Sequence, residues 1–137
     1  MVGKLLNPGR LRSIMTVIYC RARAIRSRYL EAGCTPAEKR AINVLKEWLS
    51  PEQLAQYESH RYFDVIGEQS GKRYRIRYGT SMNVCQIDSR GRMVEGLCFA
   101  PNEILVAGDV MLTQKIALES DECSVLAVAR RFTPTWH

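Results

Sequence analysis

Lys72-Arg73-Tyr74-Arg75-Ile76-Arg77-Tyr78 decides the fold, because basic and apolar residues alternate from Arg73 to Tyr78. A period of two places Tyr74, Ile76 and Tyr78 on one side of an extended chain and Arg73, Arg75 and Arg77 on the other, the pattern of a half-buried antiparallel strand. The flanks agree. Upstream, Gly67-Glu68-Gln69-Ser70-Gly71 reads as a turn, and 61–66 before it is strand-like. Downstream, Gly79-Thr80-Ser81 turns the chain into a third strand over 82–88. Ser89-Arg90-Gly91 leads to a fourth over 92–99, which Pro101 ends. Four short strands with short connections predict an antiparallel meander.

Outside this centre the period becomes helical. Thr35-Pro36-Ala37-Glu38 is a capping box with proline at the first helical position: the Thr35 hydroxyl can accept from the Glu38 N–H, and Glu38 can reach back. Ala41, Ile42, Leu45, Trp48 and Leu49 then form one stripe. Ser50-Pro51-Glu52-Gln53 repeats the start signal for a shorter helix to about Ser59, with Leu54 and Tyr57 inward. Towards the C-terminus, Asp109 is placed to cap a helix from Val110. Ser120-Asp121-Glu122 would kink or restart it, and Val125, Leu126 and Val128 carry it to about Arg130, leaving 132–137 to fray. Before all of these, Leu11, Ile14, Ile18, Ala22, Ile25 and Tyr29 predict a helix over 10–31, stopped by Gly33.

The expected fold class is therefore α+β: N-terminal helices, a four-stranded antiparallel sheet, and a C-terminal helix or helix pair. Residues 1–34 form a basic arm, 35–131 a single domain and 132–137 a tail. The expected core includes Ile18, Ile25, Leu45, Trp48, Leu49, Phe63, Val65, Tyr74, Ile76, Leu97, Phe99, Leu112, Ile116 and Leu126. A chain of 137 residues with 46% hydrophobic and 25% charged residues can bury one such core without metal or disulfide staples.

Charge points to the partner. The net charge is +6, and all of the excess lies in residues 1–40, where nine Lys and Arg face two acids. Arg21, Arg23, Arg26 and Arg28 crowd into two turns beside the apolar stripe, suited to a phosphate backbone, an acidic protein or an anionic membrane. Arg73, Arg75 and Arg77 repeat at about 7 Å along a strand, close to the phosphate spacing of a nucleic acid strand. Solvated helix and sheet faces are the plainer account of the comb and account for the basic helix at least as well. The aromatic residues Tyr74 and Tyr78 fall opposite the arginines, unlike the sheets that read RNA by stacking. Any nucleic-acid binding is therefore expected to be nonspecific and strongly salt-dependent.

Other chemistries find little support. Cys20, Cys34, Cys85, Cys98 and Cys123 show no CxxC or CxH pairing, and the only histidines are His60 and His137. No structural metal or other cofactor is expected, and free thiols suit a reducing, cytoplasmic setting. Cys85 and Cys98 would sit diagonally across a hairpin, a poor position for a disulfide. There is no Gly-rich phosphate loop, GxSxG or HExxH. An enzyme would have to assemble His60 with Asp64, Asp88, Glu68 or a cysteine through the fold. No secretory or membrane-spanning run is found. The Arg-rich, acid-poor first thirty residues have the composition of an organellar transit peptide, and Met15 could be the start of translation.

Residues 62–87 and Gly108 to Glu119 (GDVMLTQKIALE) resemble small bacterial proteins, alphaproteobacterial or phage-associated, without an assigned function. The resemblance covers about half of the chain and implies a bacterial setting but no activity. Three readings follow. The first is a non-enzymatic module binding an anionic partner, nucleic acid foremost. The second is an assembly subunit of a homo-oligomer or larger particle, and the third is a small enzyme.

Overall fold

The computed structural model describes residues 34–99 and 105–135. The chain divides between Cys34 and Thr35, and the architecture below belongs to the part that starts at Thr35. The expected helix over 10–31, with Arg21, Arg23, Arg26 and Arg28, and the core positions Ile18 and Ile25 lie outside the described residues.

Two helices come first, α1 (Pro36–Trp48) and α2 (Pro51–His60). Both start where local chemistry dictates. Thr35 accepts from the Glu38 N–H at 3.2 Å. Ser50 accepts from the Gln53 N–H at 3.2 Å, and the Gln53 side chain accepts from the Ser50 N–H at 3.1 Å, a complete capping box. The first box stays half-closed for a physical reason. Glu38 is buried and accepts instead from the Ala107 N–H at 2.9 Å, serving the start of a helix 69 residues away.

Strands β1 (Tyr62–Ile66), β2 (Arg73–Arg77), β3 (Val84–Ile87) and β4 (Met93–Cys98) form the antiparallel meander. Helices α3 (Ala107–Ser120) and α4 (Glu122–Val128) follow, so the fold is α+β with a C-terminal helix pair. The sheet has five strands, not four. β5 (Arg130–Phe132) pairs with β4, aligning Gly96 with Phe132 and Leu97 with Arg131, where the end of a helix at about Arg130 and a frayed tail from 132 were expected. Its partner explains it: a Cβ at Gly96 would fall on the Phe132 ring, so this glycine makes room for an aromatic side chain from the next strand.

The helices cover one face of the sheet. Phe63, Val65, Tyr74, Ile76, Val84 and Leu97 pack there against Ile42, Leu45, Leu49, Tyr57, Met111 and Leu118. Phe99, Leu112 and Leu126 lie at its margin, partly buried. α3 approaches α1 closely at Gly108, where a Cβ would stand 2.6 Å from the Ala41 carbonyl carbon. α3 starts at Ala107, a turn earlier than an Asp109 cap would allow; its N-cap residue Val106 offers no side-chain acceptor, and Glu38 of α1 serves the Ala107 N–H instead. Asp121 caps α4 by accepting from Ser124 at 3.3 Å. Trp48, Ile116 and Tyr78 were expected inside but are 59%, 43% and 38% exposed. Tyr78 carries the Arg61 guanidinium 4.1 Å from its ring centroid. Cys85, Cys98 and Cys123 are free thiols; Cys85 aligns with Gly96, leaving Cys98 diagonal to it.

Two polar contacts lock the frame. The Asn83 and Gln114 side chains exchange hydrogen bonds at 2.8 and 2.9 Å, tying the β2–β3 connection to α3. The Glu122 carboxylate, 1% exposed, sits under the β1–β2 turn. It accepts from the backbone N–H groups of Gln69 (3.0 Å) and Ser70 (2.8 Å), from the Ser70 hydroxyl, and from the Tyr74 hydroxyl at 2.6 Å. A Cβ at Gly67 would fall on that carboxyl group. No helix among the described residues is long and apolar enough to cross a membrane.

Candidate anion-binding face

The β1–β2 register aligns Tyr62 with Arg77, Asp64 with Arg75 and Ile66 with Arg73. Paired residues share a face, so the three arginines stand among Tyr62, Asp64 and Ile66 on the side away from the helical layer. The same rule adds Cys85 and Ile87 from β3, opposite Arg75 and Arg73. Both are buried, so this face is not uniformly wet.

The arginines are organised around one carboxylate. Asp64 Oδ1 accepts from Arg75 Nε at 2.8 Å, while Asp64 Oδ2 accepts from Arg75 Nη2 and Arg73 Nη2, each at 3.0 Å. The Arg75–Asp64 contact is the two-pronged geometry that makes arginine–carboxylate pairs strong. The Asp64 side chain is only 8% exposed and Arg75 15%, whereas Arg73 keeps 39% of its surface in solvent. The comb of free, evenly spaced charges is thus corrected: Arg73 and Arg75 converge on Asp64. The three groups together still carry one net positive charge.

Tyr62 completes the arrangement. The Arg75 guanidinium lies 3.9 Å from its ring centroid and that of Arg77 5.7 Å. The His60 imidazole stacks on the ring at 5.2 Å with 14° between planes. Cations over an aromatic face are attracted by its quadrupole. Tyr74 is on the core side as expected, but Tyr62, contributed by the neighbouring strand, is an aromatic among the arginines. A strand-by-strand reading missed it because its position depends on the hairpin register; the signal was the turn length between Ile66 and Lys72.

Helix α2 forms a rim along β1. Asp64 is the middle residue of the sheet edge. Its backbone N–H donates to Gln56 Oε1 at 2.8 Å, and its carbonyl accepts from Gln53 Nε2 at 2.9 Å. The two glutamines complete the hydrogen bonds that a further strand would otherwise make. At the start of α2 a cleft of about 710 Å³ opens between Ser50, Gln53, Ile66, Arg73 and Glu119. At the other end stands the exposed His60.

Among the described residues, the groups named above for an enzyme do not converge on one another. His60 stacks on Tyr62, and Asp64 is engaged by arginines. Asp88 is held in its own turn by Arg90 and Arg92, whose hydrogen bonds, led by the Arg92 backbone N–H, keep its carboxyl below the usual range. Glu68 accepts from the Gln69 side chain. Burial pushes the Cys85 thiol up, away from a reactive thiolate. Among the described residues no three His, Cys, Asp or Glu side chains gather as a metal-ligand set. No family model, curated protein or solved structure matches this chain.

Proposed function

We propose that this protein is a non-enzymatic binding module for an anionic polymer, nucleic acid foremost. Contact is made through the β1–β2 face bearing Arg73, Arg75 and Arg77 and through the basic residues Arg21, Arg23, Arg26 and Arg28. The observation that carries the reading is the Arg73–Asp64–Arg75 cluster. Its carboxylate aligns two guanidiniums without cancelling them, and Arg73 keeps solvent-facing surface. A pre-aligned guanidinium loses less conformational freedom on meeting a phosphate than a mobile one. The contacts are to backbone phosphates, so binding is insensitive to sequence and falls steeply with salt.

Fluorescence anisotropy of labelled oligonucleotides, titrated across salt concentrations, tests this. The wild type is compared with a variant carrying Gln at Arg21, Arg23, Arg26 and Arg28, and with Arg73→Gln. Micromolar binding that weakens with salt and in both variants is the expected result. No binding at low salt removes nucleic acid and favours the second reading, an assembly subunit. For that reading the specific observation is on α1, where Val44 and Trp48, one turn apart, are 43% and 59% exposed.

A further inference from the structure

We propose that the nucleic acid this face takes is single-stranded, and that an unpaired base stacks on the exposed imidazole of His60. The inference rests on the nucleic-acid reading above and names the class of strand.

The argument starts from the flat groups at one end of the face. His60 is the last residue of α2, and Arg61 after it adopts a left-handed conformation (φ 60°, ψ 30°), its N–H closing the helix on Tyr57 O at 2.8 Å. This sharp exit brings the His60 ring onto Tyr62 at 5.2 Å, 14° from parallel. Tyr62 is in turn held by Arg75 at 3.9 Å, and Arg75 is fixed by Asp64. The result is a chain of planar groups running from a buried carboxylate to an exposed ring. Each member restrains the next, so His60 presents its ring with little rotamer freedom to lose.

Bases stack on such rings whatever their sequence, because every base has a π face, and single strands expose those faces where a duplex hides them. The phosphate side of the contact is near. β1 runs from Tyr62 to Ile66, about 13 Å at 3.3 Å per residue, or roughly two phosphate steps of a single strand. Arg77, paired with Tyr62, and Arg73, paired with Ile66, mark the two ends of that span. A strand lying along β1 with one base on His60 therefore passes Arg77 beside Tyr62 and the solvent-facing side of Arg73, whose guanidinium leans towards Asp64. A duplex would meet the same cations but could not give a base to His60 without opening.

The test uses the full chain and four labelled probes of equal length: a single-stranded DNA, the same sequence as RNA, an abasic strand with the same number of phosphates, and a duplex. Wild type, His60→Ala and His60→Phe are titrated against each at fixed salt. Both variants lie at an exposed position, and near-UV circular dichroism establishes that each is folded. The expected result is single strands bound about tenfold tighter than the abasic strand, His60→Ala losing about tenfold on single strands and little on the abasic strand, and His60→Phe retaining wild-type affinity. Equal affinity for abasic and base-bearing strands, with His60→Ala unchanged on both, overturns base stacking while leaving nucleic-acid binding in place. Tighter binding of the duplex overturns the single-strand assignment. No binding to any probe overturns this inference and the nucleic-acid reading together.

Discussion

Two buried carboxylates, Asp64 and Glu122, hold opposite faces of the same hairpin in different ways. Glu122 is met by uncharged donors: the Ser70 hydroxyl, the Tyr74 hydroxyl and two backbone N–H groups. Asp64 is met by two guanidiniums. The first arrangement fastens a turn to a helix and keeps its charge within the fold. The second aligns cations and leaves a positive remainder facing outward. Donor identity, not burial, thus separates a carboxylate that stabilises from one that tunes a surface.

The sharpest way to break this contrast is Glu122→Ala. It strands the buried Tyr74 hydroxyl and takes the acceptor from two half-buried turn N–H groups, and should lower unfolding free energy by about 3 kcal/mol in urea titrations. A loss no larger than that of an Asp64 variant would erase the distinction.

The pH dependence sharpens it next. Burial alone would raise the Glu122 carboxyl, but the hydrogen bonds from Ser70, Tyr74 and the turn outweigh it and hold the group below its ordinary 4.5. Its contribution is therefore present above the ordinary carboxylate range and is lost as pH falls through the depressed folded value. Tyr74 moves the other way. Burial first, then its bond to Glu122, pushes it up to about 12 from 10.0. The neutral phenol's contribution is intact below pH 10 and disappears as pH rises towards 12. Melting temperature against pH should show both arms, and Tyr74→Phe should remove the alkaline one.

The smallest stability effect is expected at Asp64→Asn. It keeps an acceptor for the arginines, should cost about 2 kcal/mol because the pair is largely shielded from solvent, and frees one more positive charge. Binding to a polyanion at low salt should tighten roughly threefold. Weaker binding would mean that alignment of Arg73 and Arg75 matters more than their net charge.

What could be read in advance was what local chemistry determines. The caps at Thr35 and Ser50 rest on groups three residues apart, and the β2 alternation rests on the pleat alone. The helix pair after residue 106 was legible from spacing, but its start was not, because Gly108 seats against the α1 backbone and Glu38 serves the Ala107 N–H from 69 residues away. β5 has three residues and no periodicity of its own; it exists because β4 offers Gly96 and Leu97 as partners. Trp48 reads as core by helical spacing yet falls just outside the stripe that Leu45 and Leu49 occupy. Of the candidate site, the arginines were visible and their surroundings were not. Asp64, Tyr62 and His60 join them only once the hairpin register and the left-handed turn at Arg61 are set. The remaining four arginines, from Arg21 to Arg28, lie outside the described residues.

The glutamines of α2 along the edge of β1 carry a consequence for the behaviour of many copies together. Fibrillar growth by strand addition needs two open edges on every subunit, one to receive and one to offer. With Gln53 and Gln56 satisfying the middle of the β1 edge, the β5 edge is, among the described residues, the one more open to an added strand. A pairing there joins two copies and then stops. Crowded solutions of this domain can therefore pass through dimers without being drawn into cross-β polymerisation, for as long as α2 stays in place.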